Sequence, residues 1–409
     1  MITKMEISDY RSCVNTELNL QPDLTVLIGP NGCGKTNILN ALLLLRKLAI
    51  EEEPYRHRQS EAPSGECTIK TWFKLETGQV IHTASIGLDV DENNKDVVNT
   101  SRHKWYVKDY TGSAKRLQIP LWLVSRLDEP HGVLSRHFHR RPDGRYFYGN
   151  PKWVLPEIAT KPLRDIVLYL TQMKYYSASQ FTNPSNCPVS FEIETEGRQS
   201  RGLRARGHTK FLVDLFMEWQ AKDRSRYEQF FDIVGPSGIK LIDKIDFQEI
   251  PTSSVDYSVR SGGKVRQIRR EKSLVIPQFT IGSHVLSPNQ LSEGTFKTVT
   301  LLFYLITESS SMMLIEEPEV CVHHGLLSSI MELIKSYSRE RQIVVSTHSD
   351  LVLDKVEPRN VYKVQMNGDQ GTQITHVPFS MSQKELSALH MYLETEGNLG
   401  EYWKRGGLE

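Results

Sequence analysis

The chain has 409 residues, with 50 Lys and Arg against 49 Asp and Glu, 39% hydrophobic residues and 24% charged ones. That length allows about two to three domains of ~150 residues, or one large domain with an insertion, and the ordinary composition excludes disordered, collagenous and disulfide-scaffold chains. A net charge of +1 excludes a uniformly basic nucleic-acid coat and an acidic tail, so any nucleic-acid contact needs a local patch.

The opening MITKMEISDYRS has no apolar signal-peptide core, and the longest apolar runs, such as Ala41 to Leu45, fall far below the ~18 residues of a membrane span. Cys13, Cys33, Cys67, Cys187 and Cys321 are scattered and never paired as C-x-x-C, the pattern of free thiols in a reducing compartment. A cytoplasmic location without membrane contact is expected. Residues 4–7 and 24–28 read as short strands, and a Gly-rich loop after the second opens a helix from Lys35 to Lys47. From Cys67 to Val107, polar and apolar residues alternate between turn signals, which predicts antiparallel hairpins. The middle is loop-rich and basic, but Leu212, Leu215, Phe216 and Trp219 fall at helical spacing as a core stripe. From residue 291 the order is helix, strand (Met312–Ile315), helix (Leu326–Tyr337), strand (Ile343–Ser346), helix. That alternation is α/β.

Gly29-Pro30-Asn31-Gly32-Cys33-Gly34-Lys35-Thr36 matches G-x-x-x-x-G-K-[ST] between an apolar strand and a helix. Its glycines let backbone N–H groups turn inward around phosphates, the helix N-terminus adds a positive dipole end, Lys35 neutralises β/γ oxygens, and the Thr36 hydroxyl can ligate Mg²⁺. A second apolar strand ends in Glu316-Glu317-Pro318-Glu319, which puts carboxylates at the ligand edge of an open α/β sheet. Glu316 is placed to hold Mg²⁺ and Glu317 to orient water. Ser292 and Gly294, in Leu291-Ser292-Glu293-Gly294-Thr295, open another helix, and His348 tips the strand Ile343–Ser346. Taken singly, Ser292 reads equally as an N-cap and His348 as a satisfied histidine.

In this order the set resembles the ATP-binding-cassette ATPases, and within them the RecF-like and OLD-family ATPases, a group that includes ATPase subunits of anti-phage systems such as Septu and PARIS. The phrases that carry the resemblance are the N-terminal MITKMEISDYRS with LTVLIGPNGCGKTN, then LSEGT, LIEEPE and STHSD, over about residues 1–50 and 285–360, with a weaker echo in NLGEYWKRGGLE. It implies an α/β cassette fold: a mixed sheet with a P-loop, an antiparallel β-subdomain and a helical lobe, with no long coiled coil. Residues 29–36 would be Walker A, 291–295 the signature, 312–317 Walker B, 318–324 the D-loop and His348 the switch histidine. The expected parts are 1–112 (Walker A and β-subdomain), 113–270 (helical lobe or insertion with basic loops) and 271–409 (signature, Walker B, D-loop and switch His). ATP and Mg²⁺ are the implied cofactors. Gly29, Asn31, Gly32, Cys33, Gly34, Lys35 and Thr36 would bind nucleotide, Thr36 and Glu316 the metal, and Glu317, His348 and Lys35 would act in catalysis. Arg11 would touch nucleotide or stand as a surface arginine, and Gln180 is the candidate Q-loop residue.

Such ATPases dimerise head to tail, so Ser292 and Gly294 would contact the partner copy's γ-phosphate, in a dimer or higher even oligomer. Walker B departs from the family in carrying Glu316 for the usual Asp, and the D-loop in carrying His324 for the usual Pro. Only 61 residues follow His348 (409 − 348), so the Toprim nuclease of OLD enzymes is not expected. The resemblance implies an ATP-gated dimer that controls a separate nuclease or toxin in phage defence. Two alternatives are a RecF-like DNA-repair ATPase and a non-hydrolysing ATP-bound scaffold caging a toxic partner. Basic stretches at 136–148, 198–206 and 260–272 are the candidates for DNA or partner contact.

Overall fold

The computed structural model describes Met1 to Arg405 except residues 51–64, 91–95, 120, 125–126, 129–132, 135–137, 141–145, 149–156, 195–206, 260–264, 321 and 396. Two compact units result, one of residues 1–175, 309–317 and 334–409, the other of 176–308 and 318–333.

In the first unit, β1 (Ile2–Tyr10) and β2 (Cys13–Asn19) are antiparallel and lead into β3 (Leu24–Ile28), whose five residues are all buried. Apart from Thr25 it is apolar, as suits a strand covered on both faces, and both its edges are paired in parallel, to Gln342–Thr347 on one side and Val361–Asn367 on the other. The whole mixed sheet runs Lys174–Ser177, Met312–Glu316, Gln342–Thr347, β3, Val361–Asn367, Gly371–His376. Helix α1 (Lys35–Ile50) follows β3 directly and buries Ile38, Leu39, Leu42 and Leu45 at helical spacing.

The predicted hairpins form a second, antiparallel sheet. It adds β4 (Gly65–Lys74), β5 (Gly78–Val90), β6 (Asp96–Asp109) and β7 (Ala114–Leu117), in the order β2-β1-β4-β5-β6-β7. Strand alternation sends Ile7, Ile69, Val80, Ile86 and Val107 into one core with α1 and the helix Glu157–Thr171. Mixed sheet, P-loop, antiparallel sheet and the helices of the second unit make up the α/β cassette-ATPase fold that the sequence led us to expect. Cys13, Cys33, Cys67 and Cys187 are buried free thiols, and Cys321 lies outside the described residues. No helix among the described residues is long and apolar enough to cross a membrane.

Gln342 fastens the start of the chain to the central sheet. Its amide accepts from Ile2 N at 2.9 Å and from Tyr169 OH at 2.5 Å, and donates to the carbonyls of Ile2 and Gln21, both at 2.8 Å. A buried amide survives only with such full satisfaction.

In the second unit, Gly207–Trp219 is the expected amphipathic helix, with Leu212, Leu215 and Phe216 buried and Trp219 stacked on Phe216 at 6.0 Å between centroids. The helix Glu293–Thr307 packs its Phe296 and Phe303 against Phe211. Between these helices lies a long antiparallel hairpin, Lys244–Val259 with Val265–Ile281, paired from Lys244 opposite Thr280 to Val259 opposite Val265. The sequence suggests only basic loops within a helical lobe over this stretch, because its many charged residues dilute the period-two apolar signal.

Inside the antiparallel sheet, His82 Nε2 and His103 Nδ1 are 2.9 Å apart, His103 Nε2 is 2.9 Å from Ser101 Oγ, and the His82 ring lies on Trp105. Burial drives both imidazoles to the neutral form, pushing His103 down to about 3 and His82 well below its ordinary value, with the His103 charge adding to the latter. The unfolded chain takes up these protons near pH 6.5 and the folded chain does not, so stability is complete above that pH and is lost as pH falls from 6.5 towards 3. Each histidine contributes a slope of up to about 1.4 kcal/mol per pH unit in that window. Urea denaturation between pH 7.5 and 5 should show this loss, and His103→Gln should have a flatter pH dependence than the wild type.

Candidate functional site

The loop after β3 turns on Gly32 (φ 78°) and Gly34 (φ 103°), conformations that side-chain-bearing residues seldom adopt. At Gly34 a Cβ would also lie 2.0 Å from Thr372 Oγ1. The turn aims the backbone N–H groups that open α1 at one point, with Asn31, Gly32 and Thr36 at the surface and Cys33 and Lys35 buried. Lys35 Nζ reaches back over the loop and donates to the carbonyls of Gly29 at 2.8 Å and Pro30 at 3.0 Å. The ammonium is therefore held inside the loop that would wrap a phosphate chain.

Parallel pairing sets the register of the carboxylates. Glu316 ends its strand opposite Ser346, which in turn is opposite Leu27 of β3, so Glu316 and the Gly29–Thr36 loop leave the sheet at the same edge. Thr36 Oγ1 donates to Glu316 Oε1, and Tyr175 OH donates to Glu316 Oε2 at 2.5 Å. One carboxylate is thus fixed by a hydroxyl on each oxygen. A hard-oxygen pair, Thr36 and Glu316, fits Mg²⁺, which takes one or two protein oxygens and completes its octahedron with phosphate oxygens and water. Among the described residues no group of three or more His, Cys, Asp or Glu is gathered to hold a metal alone.

Glu317 has a left-handed backbone, φ 49°, held by a bond from its N–H to Ser346 O at 2.9 Å. This bend turns its carboxylate towards His348 at the end of the adjacent strand, where Nδ1 and Oε1 are 3.7 Å apart. Both side chains are partly exposed, 37% for Glu317 and 43% for His348, as groups that meet a substrate must be.

Arg11, the left-handed residue of the β1–β2 turn, has Nη1 3.4 Å from Asn37 Oδ1 on α1, and Asn37 Nδ2 donates to Ser12 Oγ at 2.7 Å. Ser12 Oγ and Thr372 Oγ1 are 2.7 Å apart, and the Thr372 hydroxyl also donates to Cys33 O at 3.0 Å. Arg11 is accordingly beside the first turn of the P-loop helix. Sequence reasoning missed Thr372, which grips the loop from the far edge of the sheet, and Tyr175, which orients Glu316. Neither lies in a motif, and only the fold brings them there.

Ser292 and Gly294 lie in the second unit. Ser292 caps the helix Glu293–Thr307, accepting from Thr295 N at 3.1 Å, and Gly294 is in that helix's first turn. Glu293 pairs with the buried Lys297 at 2.6 Å. His323 accepts from Gly325 N at 3.3 Å and precedes the helix His324–Tyr337. Gln180 is exposed on a short 3₁₀ turn, Ala178–Phe181, of the same unit. Within the basic stretch 136–148, Phe138–Arg140 and Tyr146–Tyr148 pair as a short antiparallel hairpin; its side chains and remaining residues, the stretch 198–206, and the side chains of 260–271 lie outside the described residues.

Residues 1–176 match the family model "AAA ATPase domain", and residues 240–354 match "AAA domain, putative AbiEii toxin, Type IV TA system". Matches to two AAA models thus fall in the N-terminal and C-terminal parts of the chain. Parts of the chain are similar to the DNA replication and repair protein RecF. It is 24% identical to RecF of Mesorhizobium japonicum over 163 residues, 35% of this chain and 43% of that one. It is 42% identical to RecF of Arthrobacter sp. over 48 residues, 12% of each chain. The chain thus spans less than half the length of these curated relatives. Among solved structures it is similar to the SMC head domain from Thermotoga maritima, with a TM-score of 0.42 and 12% identity over 92% of this chain and 98% of that one. A second SMC head, bound to the C-terminal winged-helix domain of ScpA, gives a TM-score of 0.46 and 14% identity over 91% of this chain and 96% of that one.

Thr372→Val keeps the volume and removes the hydroxyl that links Cys33 O to Ser12. Leaving the Cys33 carbonyl without that donor, and Ser12 with only its bond from Asn37, should cost about 1–3 kcal/mol. A lowered melting temperature together with weaker binding of a fluorescent ATP analogue is the expected result.

Proposed function

We propose that this chain is an ATP-hydrolysing switch: it binds Mg²⁺–ATP, dimerises head to tail around it and sets the activity of a separate nuclease or toxin in phage defence, acting in the cytoplasm. The observation that supports it most is the convergence of Lys35, the Thr36–Glu316 pair and the Glu317–His348 pair at the ends of three adjacent strands. In this reading Lys35 leaves its carbonyl partners for the β/γ-phosphate oxygens, and the N–H groups at the start of α1 hold the chain in line. Thr36 and Glu316 would hold Mg²⁺, whose chemistry is to neutralise charge on the phosphate oxygens. Glu317 accepts a proton from the attacking water as the water oxygen bonds to the γ-phosphorus and the bond to the β–γ bridging oxygen breaks. His348 orients that carboxylate and senses the γ-phosphate. Ser292 and Gly294, at a helix N-terminus, would contact the γ-phosphate held by the partner copy. A second reading, a DNA-repair ATPase, is favoured by the similarity to RecF. The description of the family matched by residues 240–354, which names a putative toxin of a toxin–antitoxin system, supports a role in such a system.

Lys35→Ala should lose nucleotide binding while still unfolding in a cooperative transition, at a somewhat lower melting temperature because the carbonyls of Gly29 and Pro30 lose a buried donor. Glu317→Gln should bind ATP as the wild type does and turn over about 10²–10⁴-fold more slowly. Wild-type turnover in that variant would remove Glu317 as the base, and a wild type that never hydrolyses ATP would leave the scaffold reading.

Ser292→Arg, made in the Glu317→Gln background, should bind one ATP per chain and sediment as a monomer. An undiminished ATP-dependent dimer would refute the trans contact.

A further inference from the structure

The helix Leu399–Lys404 supplies no group to the ATP site, yet two adjacent side chains on it reach the elements that build that site. Lys404 Nζ is 2.5 Å from Asp350 Oδ2, in the first turn of the helix Asp350–Leu353 that follows His348 and Ser349. Lys363 Nζ stands 5.9 Å from the Trp403 ring centroid, and Lys363 is opposite Ile28, the residue before Gly29 of the phosphate loop. One helical turn thus bridges the switch-histidine side of β3 and the strand on its other side.

The contact with Asp350–Leu353 is also close at the backbone. A Cβ at Gly400 would lie 2.3 Å from Asp350 O and 2.2 Å from Asp354 Oδ1, so only glycine fits there. Leu399 and Gly400 are buried, and Asn398 caps their helix by accepting from Glu401 N at 2.9 Å. Tyr392 shapes the turn that delivers it: its carbonyl accepts from Gly397 N at 3.1 Å, and its hydroxyl donates to Glu401 Oε2 at 3.2 Å.

The shortness of Asp350–Leu353 makes this packing matter. A helix of four residues has no stability of its own, since isolated helices of fewer than about 12 residues do not persist in water. Its place is set by what packs on it: Val352 and Leu353 are buried, and Gly400 and Lys404 meet Asp350 at its start. His348 sits on the link between this helix and the strand Gln342–Thr347, a link turned by the bond from Ser349 N to Thr347 Oγ1 at 2.9 Å. A shift of the helix therefore moves the imidazole relative to Glu317, 3.7 Å away.

We infer that Leu399–Lys404 is a clamp that keeps His348 in register with Glu317, and that Lys404 is its positioning residue. This role depends on the reading of Glu317 and His348 as the hydrolysing pair. An exposed ion pair adds little to global stability, so Lys404 with Asp350, 61% and 26% exposed, has its effect on local opening. Lys35 and Thr36 are held by other partners, so the clamp acts on turnover and not on ATP affinity.

The test combines amide hydrogen exchange without nucleotide and steady-state ATP hydrolysis, both on the full chain. Lys404→Met keeps a long side chain and removes the ammonium. Exchange over residues 347–354 should quicken about three- to tenfold and kcat should fall by a similar factor, with KM for ATP unchanged. Lys404→Arg, which returns a cation to Asp350, should match the wild type in both. Gly400→Ala should act in the same direction as Lys404→Met, although alanine stabilises a helix wherever its methyl group has room. Lys244→Met removes an exposed ion pair with Asp246 in the other unit and should change neither readout. A chain that never hydrolyses ATP fails the ATP reading and with it the role of His348, whereas the clamp itself is then judged by whether exchange separates the Met from the Arg variant. The clamp is overturned by wild-type exchange or wild-type kcat in Lys404→Met, by an Arg variant as impaired as the Met variant, or by equal losses in Lys244→Met.

Discussion

Everything at the site depends on where β3 is inserted. Five buried residues from the start of the chain pair in parallel with two strands that come more than 300 residues later, since Ile343 follows Ile28 by 315 positions (343 − 28). That double pairing makes the phosphate loop, the Walker B carboxylates and His348 leave the sheet at one edge. It also makes the fold strongly non-local: closing the sheet forfeits the entropy of a very long loop before the strands can pair, the regime of slow folding. Gln342, bonded to Ile2 and Gln21, lies on the strand beside β3 and reinforces the same closure with a side chain.

Glu316 shows how local chemistry fits this frame. With one more methylene than the aspartate usual in the resembling ATPases, its carboxylate would swing freely unless both oxygens were held. Thr36 and Tyr175 hold them. The longer side chain is thus matched by a tyrosine from the edge strand, a pairing that links a motif residue to one outside any motif. Hydroxyl–carboxylate bonds of this type are stronger than neutral ones, which favours a single orientation of the carboxylate.

Much of this was legible in the sequence because the informative stretches are short and locally determined. Leu24–Ile28 is apolar but for Thr25 and is bounded by a Gly-rich loop, and Met312–Ile315 before Glu316 is apolar throughout, so strand, loop and helix could be placed within a few residues. The hairpins were visible for a different reason: one face of each strand is buried and the other wet, which writes a period of two into the text. What stayed hidden depends on the assembled fold. Thr372 looks like any threonine in a polar strand, Tyr175 like any tyrosine, and Gln342 like a solvated residue before an apolar run. Their roles come from partners 141 to 360 positions away, as with Tyr175 and Glu316 or Ser12 and Thr372. The pairing of Lys404 with Asp350 was hidden similarly, since it exists only once the helix Leu399–Lys404 is docked.

The backbone of Glu317 sets stability against chemistry at one residue. A non-glycine residue with φ near 49° carries a conformational penalty of about 1–2 kcal/mol that glycine would not. Glycine at this place would relax the bend and raise stability, and it would also remove the carboxylate that faces His348. A search for thermostable variants that scored melting temperature alone would therefore tend to discard the Glu317–His348 pair.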